Sequence, residues 1–310
     1  MADIAGRSIP PIPSEHNPVL EANAPPFLYT GCSKVYITSR KASACEEACR
    51  ALNALPNKDP SAQAISVPAD SSKISEIERL VAEVSKTTDH VDILFANAGA
   101  TWGAPMENHT YEQFSKVLDL NVKSVFFLVQ KYVLFLHPYQ TPTPSPSTKH
   151  PSHKRQQISF QPKRKRSNIT PRFLPLLTAH ASQTSKSRVL VTASIAGLGI
   201  GSTGANSVPA YSASKAGVRH LVHHLSVDLG PKHILCNTIA PGFFPTKMAN
   251  GLIGIGGGVE QLAKEVPMGR LGRGEDMAAT VVFLCSRGAE HINGATVALD
   301  GGRTWGKSQL

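Results

Sequence analysis

Val91-Asp-Ile-Leu-Phe-Ala-Asn-Ala-Gly99 decides the fold. Ile93 to Ala96 are apolar without a break and run straight into a small polar turn. A strand apolar at every position is buried on both faces, which is the habit of parallel sheets. Upstream, Val35-Tyr-Ile-Thr38 reads as a strand of β-branched and aromatic residues, and Ala64 to Pro68 as a second, ending at Asp70. Helical spacing fills the gaps, over Ala42 to Leu55 and over Ile74 to Ser85, where Ile74, Ile77, Val81 and Val84 share a face. Downstream, Tyr111 to Leu136 predicts one long helix, Arg188 to Thr192 a strand, and Ala210 to Leu229 a helix. Ile234 to Ile239 predicts a strand, Asp276 to Cys285 a helix, and Ala295 to Leu299 a last strand before Asp300-Gly-Gly302. Alternating strand and helix predicts an α/β fold, a doubly wound parallel sheet. Ligands of such sheets bind at the carboxyl ends of the strands.

The chain has 310 residues and a net charge of +10. That charge suggests a nucleic-acid partner, but its location argues against one. Eight Lys/Arg and no acid fall between His137 and Arg172, and the rest of the chain carries only +2. No stretch of about 18 apolar residues predicts a membrane span. Residues 1–26 have no apolar core and carry Pro10, Pro11, Pro13, Pro18, Pro25 and Pro26, so they are read as a disordered tail and not a signal peptide. A cytoplasmic address is expected, with the five cysteines reduced. Cys45 and Cys49 lie one helical turn apart without a second pair, and His220, His223 and His224 crowd one helix without an acid. No metal site is therefore expected, and the histidines are read as a helix or subunit-interface face.

Residues 137–172 are dense in Pro, Thr, Ser, Lys and His without periodicity, which is linker-like composition. Residues 27–310 are thus read as a single domain interrupted by a basic insertion. Lys131-Tyr-Val133 can be encoded with GTATGT, a common intron start, and Pro171-Arg172 with an intron-ending YAG. Both junctions fall after the second base of a codon. Removing the intervening stretch restores a lysine, and Val129-Gln130-Lys then runs into Phe173-Leu-Pro-Leu-Leu177. A retained intron is one reading and a genuine insertion the other; sequencing the transcript separates them. Lys163-Arg-Lys-Arg166 resembles a nuclear localisation patch, but within such a segment it carries little.

The residues that carry chemistry are Tyr211-Ser-Ala-Ser-Lys215, with Ser194 at the end of the preceding strand. Tyr and Lys four apart share one helix face. For an ordinary phenol to trade protons near neutral pH, its anion must be stabilised by about 4 kcal/mol. An ammonium one turn away is expected to supply that. Ser194 can donate a hydrogen bond to a substrate oxygen. A lone Tyr-x-x-x-Lys is commonly just a surface pair. Here Asn97-Ala98-Gly99 follows the third strand, Asn121 lies in the long helix, and Pro241-Gly242 with Thr246 follows a later strand.

Taken in order, residues 27 to 302 resemble the short-chain dehydrogenase/reductase family, outside the insertion, and in particular its 3-oxoacyl-carrier-protein-reductase-like subgroup and relatives in fungal secondary metabolism. The resemblance implies a Rossmann-like fold and a reductase acting on a ketone or secondary alcohol. It implies that Tyr211 is the general acid/base and that Lys215 lowers its pKa and holds the nicotinamide ribose. Ser194 would position the carbonyl, and Asn121 would support a water-linked relay to Lys215. Asn97, Ala98 and Gly99 would pack beside the adenosine ribose, Asp70 would receive the adenine amino group, and Thr246 would hold the carboxamide. It also implies a homo-oligomer, usually a tetramer through the helices at 111–136 and 210–229. Ser194 to Tyr211 spans a loop longer than the family pattern, rich in Gly197, Gly199, Gly201 and Gly204.

Cofactor choice turns on Ser39-Arg40-Lys41 at the end of the first visible strand. A hydroxyl and a guanidinium suit a 2′-phosphate, so NADP is expected over NAD. Trp102, Phe243 and Phe244 are expected to wall an apolar substrate pocket. The family's opening strand and its Thr-Gly-x-x-x-Gly-x-Gly turn have no counterpart. Thr30-Gly31-Cys32 runs directly into the next strand, Gly254-Ile-Gly-Gly-Gly258 falls where the family has its mobile lid, and the prolines of 1–26 unfit them for a central strand. Weak cofactor binding and poor folding are expected of such a chain. A catalytically silent scaffold, or a module binding acidic partners, is the competing reading.

Overall fold

The computed structural model describes residues 32–56, 58–130, 172–246 and 257–306. The tail at 1–26, the end of the expected helix at 131–136, residues 137–171 of the insertion and most of the Gly254–Gly258 run lie outside the described residues.

Among the described residues six strands form, all paired in parallel: β1 (Lys34–Ile37), β2 (Gln63–Ser66), β3 (Ile93–Ala96), β4 (Ser187–Thr192), β5 (Ile234–Pro241) and β6 (Thr296–Leu299). They do not make one sheet. β1 pairs with β2 alone, and β3-β4-β5-β6 form a second sheet in that order. The expected doubly wound sheet is thus present in two pieces, divided between β1 and β3, where a further strand would belong.

Side-chain alternation sorts the helices onto two faces. Val189 and Val191 of β4, with Ile234, Cys236 and Ala240 of β5, face one core. That core also holds Ile77, Leu80, Val81 and Val84 of α2 (Ile74–Ser85) and Val218, Val222 and Leu225 of α6 (Pro209–Leu229). Leu190 and Ile239 point the other way, onto Met277, Val281 and Leu284 of α8 (Gly274–Cys285). α1 (Ala42–Asn53) covers the small sheet through Cys45, Cys49 and Leu52. Tyr36 and Ile65 of the small sheet pack against the first core, so the helical layer spans the division.

The expected helix from Tyr111 is three pieces in series: α3 (Tyr111–Leu118), a π turn (Asp119–Lys123) and α4 (Ser124–Val129). α3 starts on a capping box between Thr110 and Gln113. Helix resumes at α5 (Phe173–Ala179), where Phe173, Leu174 and Leu177 join Val125, Leu128 and Val129 in one core. The Arg172 guanidinium donates to the Gln130 side chain, so the two flanks of the insertion meet. α7 (Val259–Lys264) follows Gly257 and Gly258, whose φ of 82° and 94° only glycine adopts freely.

Candidate active site

β4 ends at Thr192, and the chain turns at Ser194 into a short 3-10 turn, Ile195–Gly197, whose first amides it helps cap: Ser194 Oγ accepts from Ala196 N at 3.2 Å. That turn lies on α6. A methyl group at Gly197 would come within 2.5 Å of the Lys215 carbonyl carbon, so only glycine allows the approach. α6 begins with Pro209 in its first turn, a preferred place for proline. The helix sets Tyr211 and Lys215 on one face, with the ammonium 5.7 Å from the phenol ring centre.

Lys215 is 4 % exposed. Its Nζ donates to the Thr192 carbonyl at 2.7 Å. Burial pulls its pKa down to about 8. Burial also pushes the Tyr211 phenol above its ordinary value, and a hydrogen bond with Ser194 only partly opposes that. The phenol was expected to be made acidic by Lys215. The shift runs the other way because the phenol is shielded from water.

Asn121 sits inside the π turn and is buried. Its Oδ1 accepts from Ala100 N at 2.8 Å, and its Nδ2 donates to Ala100 O and to Ser214 Oγ, both at 2.9 Å. Every polar atom of this side chain therefore holds the loop after β3 against α6. Asn121 thereby positions the loop at Ala100 against α6. A Cβ at Gly99 would stand 3.3 Å from Asn121 Oδ1 and 3.4 Å from Lys215 Nζ, so the bare glycine keeps space open beside the ammonium. Asn97 Oδ1 accepts from Thr192 Oγ1 at 2.6 Å.

The structure thus gathers Ser194, Tyr211, Lys215, Asn121, Asn97 and Gly99 at the carboxyl ends of β3 and β4, with Ala98 exposed between the last two. Thr246, beyond β5, is half-buried. Arg40 lines the cavity that reaches Asn97, Ala98 and Gly99, and with Asp70, Lys73 and Arg79 it lines a second of about 410 Å³. Asp70 accepts from Ser72 N and Oγ, and that hydroxyl holds its carboxyl below the usual range, with Lys73 and Arg40 adding to the effect. Ser39 is engaged locally, with Lys41 N and Cys45 Sγ.

Phe244 packs into a core rather than lining either cavity described above. It is buried among Leu190, Ile239, Met277 and Val281, pressed so close to Gly272 that a Cβ there would meet the ring. Trp102 remains 44 % exposed. Sequence reasoning missed Thr192 and Ser214, which anchor Lys215 and Asn121; only the threonine at a strand end could have hinted at this. It also missed Asp89, His90 and His180, whose ligand atoms lie within 4.8 Å of one another. His90 stacks on His180 at 4.0 Å, at the foot of the sheet, the end away from Ser194.

With this geometry, the family profile described as short chain dehydrogenase matches residues 24–138, and the one described as Enoyl-(Acyl carrier protein) reductase matches 172–304. The Rhamnolipids biosynthesis 3-oxoacyl-[acyl-carrier-protein] reductase of Pseudomonas aeruginosa is 30% identical over 270 residues, covering 87% of this chain and 86% of its own. PhomF, a short-chain dehydrogenase/reductase of Diaporthe leptostromiformis, is 27% identical over 299 residues, 87% and 83% of the two chains. The Pseudomonas aeruginosa RhlG/NADP active-site complex superposes with a TM-score of 0.71 at 29% identity, covering 91% of each chain. The 3-ketoacyl-(acyl-carrier-protein) reductase of Brucella melitensis complexed with NADH gives 0.69 at 22% identity, over 92% and 93%, a likeness of fold alone. This chain belongs to the short-chain dehydrogenase/reductase family. It is an oxidoreductase resembling the 3-oxoacyl-carrier-protein reductases.

Proposed function

We propose that the chain reduces a ketone with NADPH, using Ser194, Tyr211 and Lys215. The observation that carries this reading is the buried Lys215 ammonium, one helical turn from the Tyr211 phenol and 5.7 Å from its ring centre. A buried lysine is costly to keep charged, and perturbed groups gathered in one place mark sites of chemistry.

The residues fit the nicotinamide end of the cofactor, since Gly99 leaves room beside Lys215. The Arg40 cavity fits the adenosine end, where a guanidinium suits the 2′-phosphate that RhlG's cofactor carries. No glycine turn among the described residues holds the pyrophosphate. When bound, the cofactor supplies the hydride. Ser194 donates a hydrogen bond to the carbonyl oxygen, and Tyr211 gives that oxygen its proton. A raised phenol pKa keeps the proton in place until it is needed, which suits the reducing direction. Lys215, largely protonated at neutral pH, compensates the phenolate left behind.

A homo-oligomer is part of the proposal: Tyr111 and Phe114 on α3, Phe126 on α4 and Val227 on α6 are exposed. So is a cytoplasmic setting, since no helix among the described residues is long and apolar enough to cross a membrane. A place in fungal secondary metabolism, which the sequence resemblance implies, is part of the proposal and would fit a small-molecule ketone substrate.

The test is NADPH-dependent reduction of a 3-oxoacyl thioester by the full chain at millimolar cofactor. Tyr211→Phe should lower kcat by about 10²–10⁴-fold. Undiminished turnover in that variant would sink the proposal. A folded chain showing no saturable NADPH fluorescence titration would favour the scaffold reading, which rests on the absent glycine turn.

A further inference from the structure

The chain approaches β3 through Thr87-Thr88-Asp89-His90, and α5 is capped by His180; the two meet at the foot of the sheet. The backbone there is held on both sides. Val91 N donates to Leu176 O at 3.0 Å, which ties the approach to β3 to α5. Thr88 Oγ1 donates to His90 O at 2.9 Å and closes the turn ahead of the strand. Two segments far apart in the chain thus present their side chains to one another from fixed positions.

Asp89 stands between the two imidazoles. Its Oδ1 lies 2.7 Å from His90 Nδ1, and its Oδ2 lies 4.0 Å from His180 Nε2. The ligand atoms of all three residues fall within 4.8 Å of one another. The other ring nitrogen of His90, Nε2, is 3.5 Å from Asp92 Oδ2. An ion pair with Asp89 accounts for one imidazole but not for both. As cations the two rings, stacked at 4.0 Å, would repel one another. As the uncharged ligands of one metal ion they can lie together.

We propose that Asp89, His90 and His180 bind a divalent transition-metal ion of the zinc type, with Asp92 orienting the ring of His90. The distances agree. Zinc bonds to nitrogen and carboxylate oxygen are about 2.0–2.2 Å, so tetrahedral ligand atoms stand roughly 3.4 Å apart. The separations of 2.7 and 4.0 Å bracket that value. The His180 side chain is 56 % exposed and can close the longer one by turning about its own bonds. The chemistry agrees as well. Two imidazoles with a carboxylate favour zinc-like ions over magnesium or calcium, which take oxygen donors. With His90 Nδ1 on the ion, its Nε2–H is free to donate to Asp92, the carboxylate partner that metal-bound histidines commonly have. Water would complete the tetrahedron. Such an ion clamps the turn between α2 and β3 to the end of α5, the helix in which the chain resumes beyond the insertion. It lies at the opposite end of the strands from Ser194, so it acts on stability and not on the reaction, and it is independent of the reductase reading.

The full chain, stripped with a chelator and dialysed, is titrated with Zn²⁺ against a competing chromogenic chelator. Other histidines can take up zinc, above all His220, His223 and His224 on α6, so the variants carry the test. His90→Ala and His180→Ala should each weaken one zinc equivalent by about tenfold or more. The double variant His220→Ala with His224→Ala should leave that equivalent unchanged. Saturating Zn²⁺ should raise the melting temperature of the parent chain by several degrees, and that gain should be lost in His180→Ala. Millimolar Mg²⁺ should not compete. His180 is the more exposed of the two histidines, so its variant decides the matter if His90→Ala fails to fold. Absence of zinc binding, a titration identical in the parent chain and His180→Ala, or binding lost only with the α6 histidines would each overturn the proposal.

Discussion

The four-stranded sheet and the two-stranded sheet are built from the same kind of unit and finished to different degrees. β4 is paired on both edges and fully buried at Ser187 to Val191. From its end hang Thr192 and Ser194, and against it packs α6 with Tyr211 and Lys215. Among the described residues β1 pairs only with β2, and β3 only with β4. The groups proposed for catalysis therefore rest on the four-stranded sheet, and Arg40 and Asp70, proposed for adenosine, lie by the two-stranded one. On the proposed reading, proton chemistry would draw on one strand, one helix and a loop held by Asn121, and cofactor retention on both sheets.

That separation can be probed from the finished side first. In the folded chain Lys215 releases its proton at about 8, and in the unfolded chain at about 10.5. Between those values the unfolded chain binds the extra proton, so raising pH favours folding. Below about pH 8 the buried charge costs roughly 3 kcal/mol. Denaturation midpoints should accordingly rise between pH 8 and 10, before tyrosine ionisation in the unfolded chain opposes the trend, and the rise should disappear in Lys215→Met. A flat profile in the parent chain would mean that the ammonium is not confined as described.

Gly197→Ala comes next. The added methyl meets backbone atoms of Lys215 and Ala216 at 2.5–2.6 Å, which cannot turn aside. A loss of about 1–3 kcal/mol by urea titration is expected, together with a fall in kcat as α6 shifts away from Ser194. Unchanged stability would show that the 3-10 turn does not set the position of α6.

On the unfinished side the effect is smaller. Arg40→Ala should weaken NADPH by about fivefold, roughly 1 kcal/mol, because the guanidinium is exposed. NADH should be little affected. Equal losses for both cofactors would remove the 2′-phosphate from its account.

Much of this was legible from the residues. The apolar run at Ile93–Ala96 and the spacing in Ile74–Ser85 fix their elements because burial on two faces, or on one helical face, leaves a direct trace in residue order. Tyr211 and Lys215 are legible as a pair for the same reason. What escaped has its cause in tertiary contacts. The π turn at Asn121 carries no compositional mark; it is set by three hydrogen bonds to Ala100 and Ser214. The direction of the Tyr211 shift depends on how deeply the phenol is covered, which spacing does not encode. Phe244 reads as a pocket aromatic until Gly272 is found beneath it, and His90 meets His180 across a long stretch of chain. The missing strand was legible as an absent motif, but the division between β1 and β3 is visible only once both are placed.

Amide hydrogen exchange tests the contrast most directly. The β4–β5 ladder, Val189 to Thr192 and Leu235 to Ile239, should exchange slowest. Lys34 and Tyr36, whose N–H groups point away from β2, and Ile93 and Phe95, whose N–H groups point away from β4, should exchange orders of magnitude faster. Equal protection of the two sets would contradict the account, since it would mean that the two sheets are joined.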